Sequence, residues 1–288
     1  MEGAAMLQRI EAAPGDDAAR AVYADWLQER GDPRGAFIAM QLTRGLRPSS
    51  AAEWRREFDL LVEHGTKWLD PIGQLLIAPV FERGFLAECA VTDAPTWAID
   101  SRLWATVERL HLAAPDTVAL AALVRSPQLR ALELVSELGP TVMTELCRHP
   151  APRPRRLRFL RSSPELLKLV LRPPPQVREV EFELPVQPTE VAALLRGPCA
   201  AQLERLEVSC NGARLSFTGD DGELNALTVS GFRRSDAEAV AETILKLPRM
   251  AQLTLAAGAG PSEALARLLG HRGTPPVLTP ALAPRRTA

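Results

Sequence analysis

The sequence has few cysteines, almost no net charge and no long apolar run. Its four cysteines, Cys89, Cys147, Cys199 and Cys210, form no C-x-x-C pair, which in 288 residues indicates reduced, mostly buried thiols. The 34 basic and 35 acidic residues nearly cancel, so net charge favours neither a nucleic-acid-binding nor a membrane-surface protein. No stretch approaches the ~20 apolar residues of a spanning helix, and no signal peptide is visible. We therefore expect a cytoplasmic protein with no membrane partner.

Motifs for catalysis and metal binding are also absent from the sequence. The four histidines, His64, His111, His149 and His271, have no ligand spacing typical of a metal site. There is no nucleophile elbow, phosphate-binding loop or dinucleotide fingerprint. We expect a protein that is not an enzyme and has no catalytic residues, no cofactor and no metal.

The first quarter of the chain has the pattern of short amphipathic helices. Asp16 predicts an N-cap, and Asp32 followed by Pro33 predicts the start of a second helix. A third helix is expected from Ser49 or Ser50. The residues expected to face the core are Ala19, Val22, Tyr23, Trp26, Leu27, Phe37, Ile38, Met40, Leu42, Trp54, Phe58 and Leu61.

The same region resembles a known bacterial domain. The run GDDAARAVYADWLQERGDPRGAFIAMQL, Gly15 to Leu42, resembles the repeat-companion domain, whose pattern is D-x-x-R-x-V-Y-A-D-W-L-E-E-R-G-D-P-R-G-E-F-I-x-x-Q, and His64 to Thr92 looks like its continuation. Ala36 departs from the pattern, where an acidic residue is usual. The resemblance implies a repeat array behind the domain and no known chemistry. Matching positions include Tyr23, Asp25, Trp26, Gly31, Asp32, Pro33, Arg34, Gly35 and Phe37.

A polar corner in this run leaves an alternative open. Asp25, Arg30 and Arg34 could form a small catalytic site, although no histidine, serine or cysteine accompanies them at catalytic spacing. The favoured interpretation is that the aromatics are core and that Gly31 to Pro33 is turn chemistry.

Residues 71–104 are interpreted as a capping hairpin and linker behind a helical domain at 1–70. Leu75 to Val80 and Phe85 to Val91 are apolar runs joined by a short glycine-containing loop, which predicts a β-hairpin. A repeat array needs such a cap over its first exposed core face.

Residues 105–270 repeat an L-x-L unit every 21 to 26 residues, within the ~20–29 typical of leucine-rich repeats. Helix-start signals lie between most units. This alternation predicts an α/β fold, a right-handed leucine-rich-repeat-like solenoid with a parallel sheet. The first residues of the units are Leu110, Leu132, Leu157, Val180, Leu206, Leu227 and Leu253.

Two segments depart from the repeat. Ala213 to Phe217 and Glu223 to Val229 flank an Asp-Gly turn, which predicts a hairpin replacing the outer helix of that repeat. The Pro-rich tail at 271–288 lacks periodicity, and it could cover the last repeat through Val277, Leu278 and Leu282.

The residues between and just before the paired apolar positions should face outward from a concave sheet. Several alternate in sign across neighbouring strands, which indicates either solvated cross-strand pairs or a charged surface that binds a protein. We expect a scaffold that binds an unidentified protein partner; its oligomeric state is left open. The candidate binding residues are Arg109, His111, Glu133, Arg156, Arg158, Glu179, Glu181, Arg205 and Glu207.

Six arginines between Arg148 and Arg161 suggest two further functions. One could supply positive charge to a small GTPase or another nucleotide-switch protein, which makes a regulator of such proteins the alternative hypothesis. Nucleic acid is a less favoured partner, because no aromatic platform adjoins the cluster and Glu179 to Glu183 lie in the next repeat.

Overall fold

The computed structural model describes residues 2–113, 116–149, 154–220, 223–256, 259–269 and 277–278. The chain divides into two compact units, with the boundary between Ser136 and Glu137. Both are mixed α/β units. Among the described residues, no helix is both long enough and apolar enough to cross a membrane.

The first unit begins with four helices, and the starts of the last three follow the capping signals. Asp16 accepts a hydrogen bond from the Ala19 amide at 3.0 Å, and Asp32 caps the next helix. Ser50 and Glu53 form a capping box, as expected for a start at that serine. The helices are α1 (Glu2–Ala12), which had not been predicted, α2 (Asp17–Gln28), α3 (Pro33–Leu46) and α4 (Ala51–Trp68); the short α5 (Thr96–Ile99) and α6 (Val118–Val124) follow later.

Part of the predicted apolar face was wrong. Tyr23, Leu27 and Phe37 are buried, whereas Val22 on α2 is 54% exposed. On α4, the predicted core residue Leu61 is half-buried, but Trp54 is 51% and Phe58 63% exposed, because the inward face carries Gly65 and Trp68.

The β-hairpin expected between Leu75 and Val91 is present, and the helices hold it through polar contacts. Strand β1 (Leu76–Glu82) pairs antiparallel with β2 (Phe85–Val91). Gln41 on α3 donates to the Phe81 carbonyl at 3.1 Å and accepts from the Gly84 amide at 2.7 Å. The Arg20 guanidinium donates to the Arg83 carbonyl at 3.0 Å. Arg20 and Gln41, both in the Gly15–Leu42 run, therefore have a structural role, because they hold the hairpin turn against the helices.

Two short parallel strands extend this hairpin into a four-stranded sheet. Strand β3 (Arg109–Leu112) pairs with β2, and β4 (Leu134–Ser136) pairs with β3. The register places Leu110 opposite Cys89 on one side and Val135 on the other. The order β1, β2, β3, β4 follows the chain.

The predicted register of the second repeat was wrong by three residues. Val135, not Leu132, is the counterpart of Leu110, and Ser136, not Glu133, is the counterpart of His111. The three-residue spacing of Leu129, Leu132 and Val135 fits the start of the repeat pattern in two overlapping frames, but only the earlier frame is completed, by Leu134, since the later one has Glu137 in that place. The structure adopts the later frame, so that Glu133 precedes the strand.

The second unit is an open sheet with helices on its connections. The strands are β5 (Arg156–Phe159), β6 (Glu179–Pro185), β7 (Arg205–Cys210), β8 (Ala213–Asp220), β9 (Glu223–Ser230), β10 (Gln252–Ala256) and β11 (Val277–Leu278). The helices are α7 (Pro140–Arg148), α8 (Pro164–Val170), α9 (Pro188–Arg196), α10 (Ala237–Lys246) and α11 (Ala259–Leu269). Strand order again follows the chain. One face of the sheet is almost fully buried, with Leu157, Phe159, Val180, Phe182, Leu206, Val208, Leu215, Phe217, Leu227 and Val229 at most 1% exposed.

The predicted hairpin at 213–229 exists but was misplaced. Strand β8 pairs antiparallel with both β7 and β9 and is therefore part of the sheet, not a replacement for an outer helix. The sheet is consequently mixed and not purely parallel. In β8, buried Leu215 and Phe217 alternate with polar residues, as expected for a strand with one buried face. The turn residues 221–222 lie outside the described residues.

The tail contributes one short strand. Val277 and Leu278 pair parallel with Thr254 and Leu255 of β10. The expected role of Leu282 falls outside the described residues.

Candidate functional site

A continuous polar row crosses the second unit's sheet. Arg158, Glu181 and Glu207 lie in register on neighbouring strands, as the repeat spacing predicted for these positions. The row continues across the sheet through Ser216, Thr228 and Thr254. Half of this polar face is thus charged and the other half carries hydroxyl groups.

Glu181 is the centre of the charged half. Its side chain is only 6% exposed, and three arginines surround its carboxylate. The distances to its carboxylate oxygens are 2.7 Å from Arg156 Nη2, 3.0 Å from Arg158 Nε and 2.7 Å from Arg214 Nη2. A buried carboxylate is tolerated only when it is paired in this way.

Glu207 lies directly across from Glu181 on the next strand, so two buried carboxylates face each other. Like charges in this position repel. Arg214 on β8 relieves the repulsion, because its guanidinium bonds both carboxylates, with Nε 2.9 Å from Glu207 Oε2. Arg205 adds a second contact to Glu207 at 2.5 Å.

These contacts change the ionisation of the groups involved. Burial alone would raise the pKa of Glu181, but hydrogen bonds from Arg156 and Arg158 outweigh it and hold that pKa below its usual range. The hydrogen bond to Glu207 and the charges of both glutamates raise the pKa of Arg214. Glu181 and Arg214 are therefore both ionised at neutral pH.

The polar face presents arginine to solvent. The side chains of Arg205 and Arg214 are 47% and 52% exposed, whereas those of Glu181 and Glu207 are 6% and 7% exposed. Arg156, Arg158, Arg205 and Arg214 are matched in number by Glu179, Glu181, Glu183 and Glu207, so the formal charges cancel. Two of the carboxylates, Glu181 and Glu207, lie beneath the guanidinium groups, whereas Glu179 and Glu183 are 37% and 41% exposed. Over the two buried carboxylates the cluster offers hydrogen-bond donors to an approaching molecule.

Arg214 was missed by the sequence reasoning. Its signal was present, because Arg214, Ser216 and Thr218 alternate with buried Leu215 and Phe217. Because the hairpin at 213–229 was assigned to the outer side of the repeat, these residues were not considered as part of the sheet's polar face.

The first unit has a separate polar cluster around Glu88. Arg109 bonds this carboxylate through Nε and also reaches Glu82 at 2.6 Å. His111 lies between Glu88 and Ser136, with Nε2 2.9 Å from Glu88 Oε1 and Nδ1 2.5 Å from Ser136 Oγ. Burial opposes ionisation of Glu88, but the hydrogen bonds from Arg109 and His111 prevail and lower its pKa.

A glutamate, a histidine and a serine joined by hydrogen bonds also make up the catalytic triad in which a serine is activated as a nucleophile. Here Ser136 is only 2% exposed. The pockets lined by Leu247, by Trp68 and by Leu171 do not include Ser136 or His111. The arrangement therefore ties β2, β3 and β4 together. Neither Glu88 nor Ser136 was expected from the sequence. The register error placed Glu133 opposite His111, where the structure has Ser136.

The other two predicted residues, Glu133 and Glu179, occupy different settings. Glu133 is exposed and outside the strand, joined to the cluster only by its amide, which donates to the Glu108 carbonyl at 2.8 Å. Glu179 lies opposite Arg156 and Arg205, with Arg156 Nε at 3.8 Å. Among the nine predicted residues, Glu133 is thus the one that the structure leaves out of the charged clusters.

The possible catalytic corner near the N-terminus does not converge. Arg30 stacks on the Trp26 ring at 4.0 Å, while Arg34 lies over Phe85 at 4.8 Å. Asp25 is exposed on α2. These side chains therefore point to different surroundings.

The arginine cluster is largely engaged with glutamates. Arg148 pairs with Glu145 at 3.1 Å and Arg155 with Glu204 at 3.4 Å. Arg156 and Arg158 belong to the Glu181 network. Arg153 lies outside the described residues.

The remaining chemistry of the described residues is limited. No group of three or more histidine, cysteine, aspartate or glutamate side chains in the described ranges could hold a metal ion. Burial raises the pKa of Cys89 to about 12 and that of Cys199 to about 11, so these thiols stay protonated.

Comparison with known proteins adds no assignment: no family model matches the chain, and no curated protein or solved structure shows significant similarity to it.

Proposed function

We propose that this protein is a non-catalytic scaffold. In this proposal a helical repeat-companion-like domain and its capping hairpin precede an irregular, right-handed leucine-rich-like solenoid. The polar face of the second unit's sheet binds a protein partner. We also infer a reducing, cytoplasmic compartment, because all four cysteines are unpaired and three of them are buried.

The observation that supports this function is the exposed arginine layer over Glu181 and Glu207. Arg205 makes one ion pair at its Nη2 atom, and its side chain remains 47% exposed. Guanidinium groups bind carboxylates through several N–H donors at once. The partner should therefore present acidic side chains to Arg205 and Arg214 on the polar face of the sheet.

The rest of the polar face suits a protein surface. Ser216, Thr218 and Thr228 continue it as hydroxyl groups on neighbouring strands. A row of charges beside a row of hydroxyls resembles the polar part of many protein interfaces. Extended sheet faces of repeat proteins commonly serve as binding surfaces.

The test combines photo-crosslinking with one charge-removing substitution. A photoreactive residue at exposed Thr218 on the polar face should crosslink the partner, while the same residue at exposed Lys168 on α8 should not. Arg205→Gln should weaken binding about tenfold, the effect of losing one charge-assisted hydrogen bond. Glu207 keeps Arg214 in that variant, so the fold should persist.

The matched control is Arg178→Gln, which removes an arginine of similar exposure that pairs with Glu204 at 3.6 Å. It should leave binding unchanged. Crosslinks from Lys168 alone, or equal affinity for Arg205→Gln and the unsubstituted protein, would place the binding surface elsewhere.

A further inference from the structure

A stripe of large apolar side chains lies on the outer face of α4. Trp54, Phe58 and Val62 are 51%, 63% and 68% exposed. They are spaced four residues apart, which puts them in one row about 12 Å long on the helix surface. The sequence pattern had placed the first two in the core.

The Arg44 guanidinium of α3 lies 4.7 Å from the centre of the Trp54 ring, so the stripe touches its own unit at one end. The remaining contact of α4 with its unit uses a different face. That contact is made by Gly65 and Trp68, which are buried, and by Glu57, which bonds Gln41 and Arg44 at 2.8 Å. Exposed apolar residues scattered singly need no explanation, but a contiguous row on one helix marks an interaction surface.

Charges along one side of the stripe indicate what covers it. Arg55, Asp59 and Glu63 each follow a stripe residue by one position, so they form a parallel row that is basic at its N-terminal end and acidic beyond. Arg55 and Asp59 form no ion pair among the described residues, whereas most charges on the two sheets are paired.

An antiparallel second copy of the same helix complements this arrangement. With a two-fold axis near Phe58, Trp54 of one copy faces Val62 of the other, and the two Phe58 rings meet. Arg55 of each copy then lies between Asp59 and Glu63 of the other copy. A two-fold axis makes the same surface complementary to itself.

We propose that two copies of this chain associate through α4, packed antiparallel across the Trp54–Phe58–Val62 stripe. The apolar row supplies the contact area, and the Arg55–Asp59 pairs across the axis set the orientation. The area is small beside that of an obligate dimer, so the dimer is a weak one that dissociates on dilution.

Sedimentation velocity of the full chain across about 5 to 300 µM tests the association, since a weak dimer shifts with concentration. The unsubstituted protein should move from monomer towards dimer over this range. Phe58→Asp should raise the dissociation constant at least about tenfold. Val22→Asp, at a 54% exposed apolar position on α2, is the matched control and should dimerise normally.

A charge exchange tests the orientation. Arg55→Asp and Asp59→Arg should each weaken the dimer several-fold by placing like charges across the axis, while the double variant should regain most of the affinity. Circular dichroism of each variant confirms that it is folded. A monomer at every concentration, normal dimerisation of Phe58→Asp, or a double variant weaker than both single variants would overturn the proposal.

Discussion

Two glutamates on the same strand of the second unit differ sharply in what holds them. Glu181 is almost fully covered and has three arginines at hydrogen-bond distance, as Arg156, Arg158 and Arg214 converge on its carboxylate. Glu183, two residues later, is 41% exposed and has one arginine at 3.3 Å. Glu181 is buried because long arginine side chains from neighbouring strands lie over it. Its own position in the sequence does not show that it will be covered in this way.

Replacing Glu181 should therefore be costly. Glu181→Gln leaves three guanidinium groups close together without their shared counter-charge, and we expect a loss of roughly 3 kcal/mol, as when one partner of a buried ion pair is removed. Glu183→Gln should cost less than about 1 kcal/mol, as for an exposed pair. Urea unfolding followed by circular dichroism at neutral pH measures both, and equal losses would contradict the central role of Glu181.

At the scale of elements, the capping hairpin depends on how closely its turn approaches α3. Gly84 has a φ of +83°, and an added Cβ would lie 2.2 Å from Ile38 Cγ1 and 3.0 Å from Ile38 Cα. Gly31 also has a positive φ, +69°, but an added Cβ there meets nothing within 4 Å. The two glycines share a left-handed backbone conformation, which would strain any other residue, and they differ in steric contact.

Comparing alanine substitutions at these two glycines separates the free-energy cost of backbone strain from the cost of the clash with Ile38. Gly31→Ala should lose about 1 kcal/mol, the strain of a left-handed alanine. Gly84→Ala adds a backbone clash and should lose about 3 kcal/mol or more. Thermal unfolding of both variants measures the difference. Similar losses would mean that the hairpin turn shifts freely away from α3.

Much of the element order could be predicted from the sequence, for reasons visible in individual residues. The helix starts followed from side-chain caps, and the register of Leu157, Val180 and Leu206 followed from apolar spacing, because both signals are local. The position of β4 could not be predicted, since Leu132 and Val135 both fit the start of the pattern and Leu134 completes it only in the earlier frame, which the strand does not adopt. Only pairing with β3 decides between them.

The candidate site was predicted in part for the same reason. Spacing placed Arg158, Glu181 and Glu207 in one row. Arg214 and Ser136 could not be assigned, because one depends on which side of the repeat β8 takes and the other on the β4 register. The local sequence pattern shows which residues of a strand lie on the same face. Which residues lie beside them on the neighbouring strands is decided by tertiary pairing.

At the scale of the whole molecule, each compact unit contains a glutamate with a lowered pKa. Glu88 is held by Arg109 and His111 in the first unit, and Glu181 by its arginines in the second. The ordinary glutamate pKa is 4.5, and both folded-state values lie below it. Between the folded and unfolded values the unfolded chain binds more protons, so stability falls as the pH falls.

We therefore expect stability contributed by both glutamates to be fully present above their unfolded pKa and to decline once the pH drops below about 4.5. Urea midpoints measured at pH 7, 5, 4 and 3 should be similar at the first two values and lower at the others. The double variant Glu88→Gln and Glu181→Gln starts less stable and should lose less on acidification, because it has two fewer groups to protonate. Glu165→Gln, which removes an exposed carboxylate on α8, should follow the unsubstituted protein. A midpoint that rises on acidification, or a double variant as acid-sensitive as its parent, would show that these two clusters do not control the response.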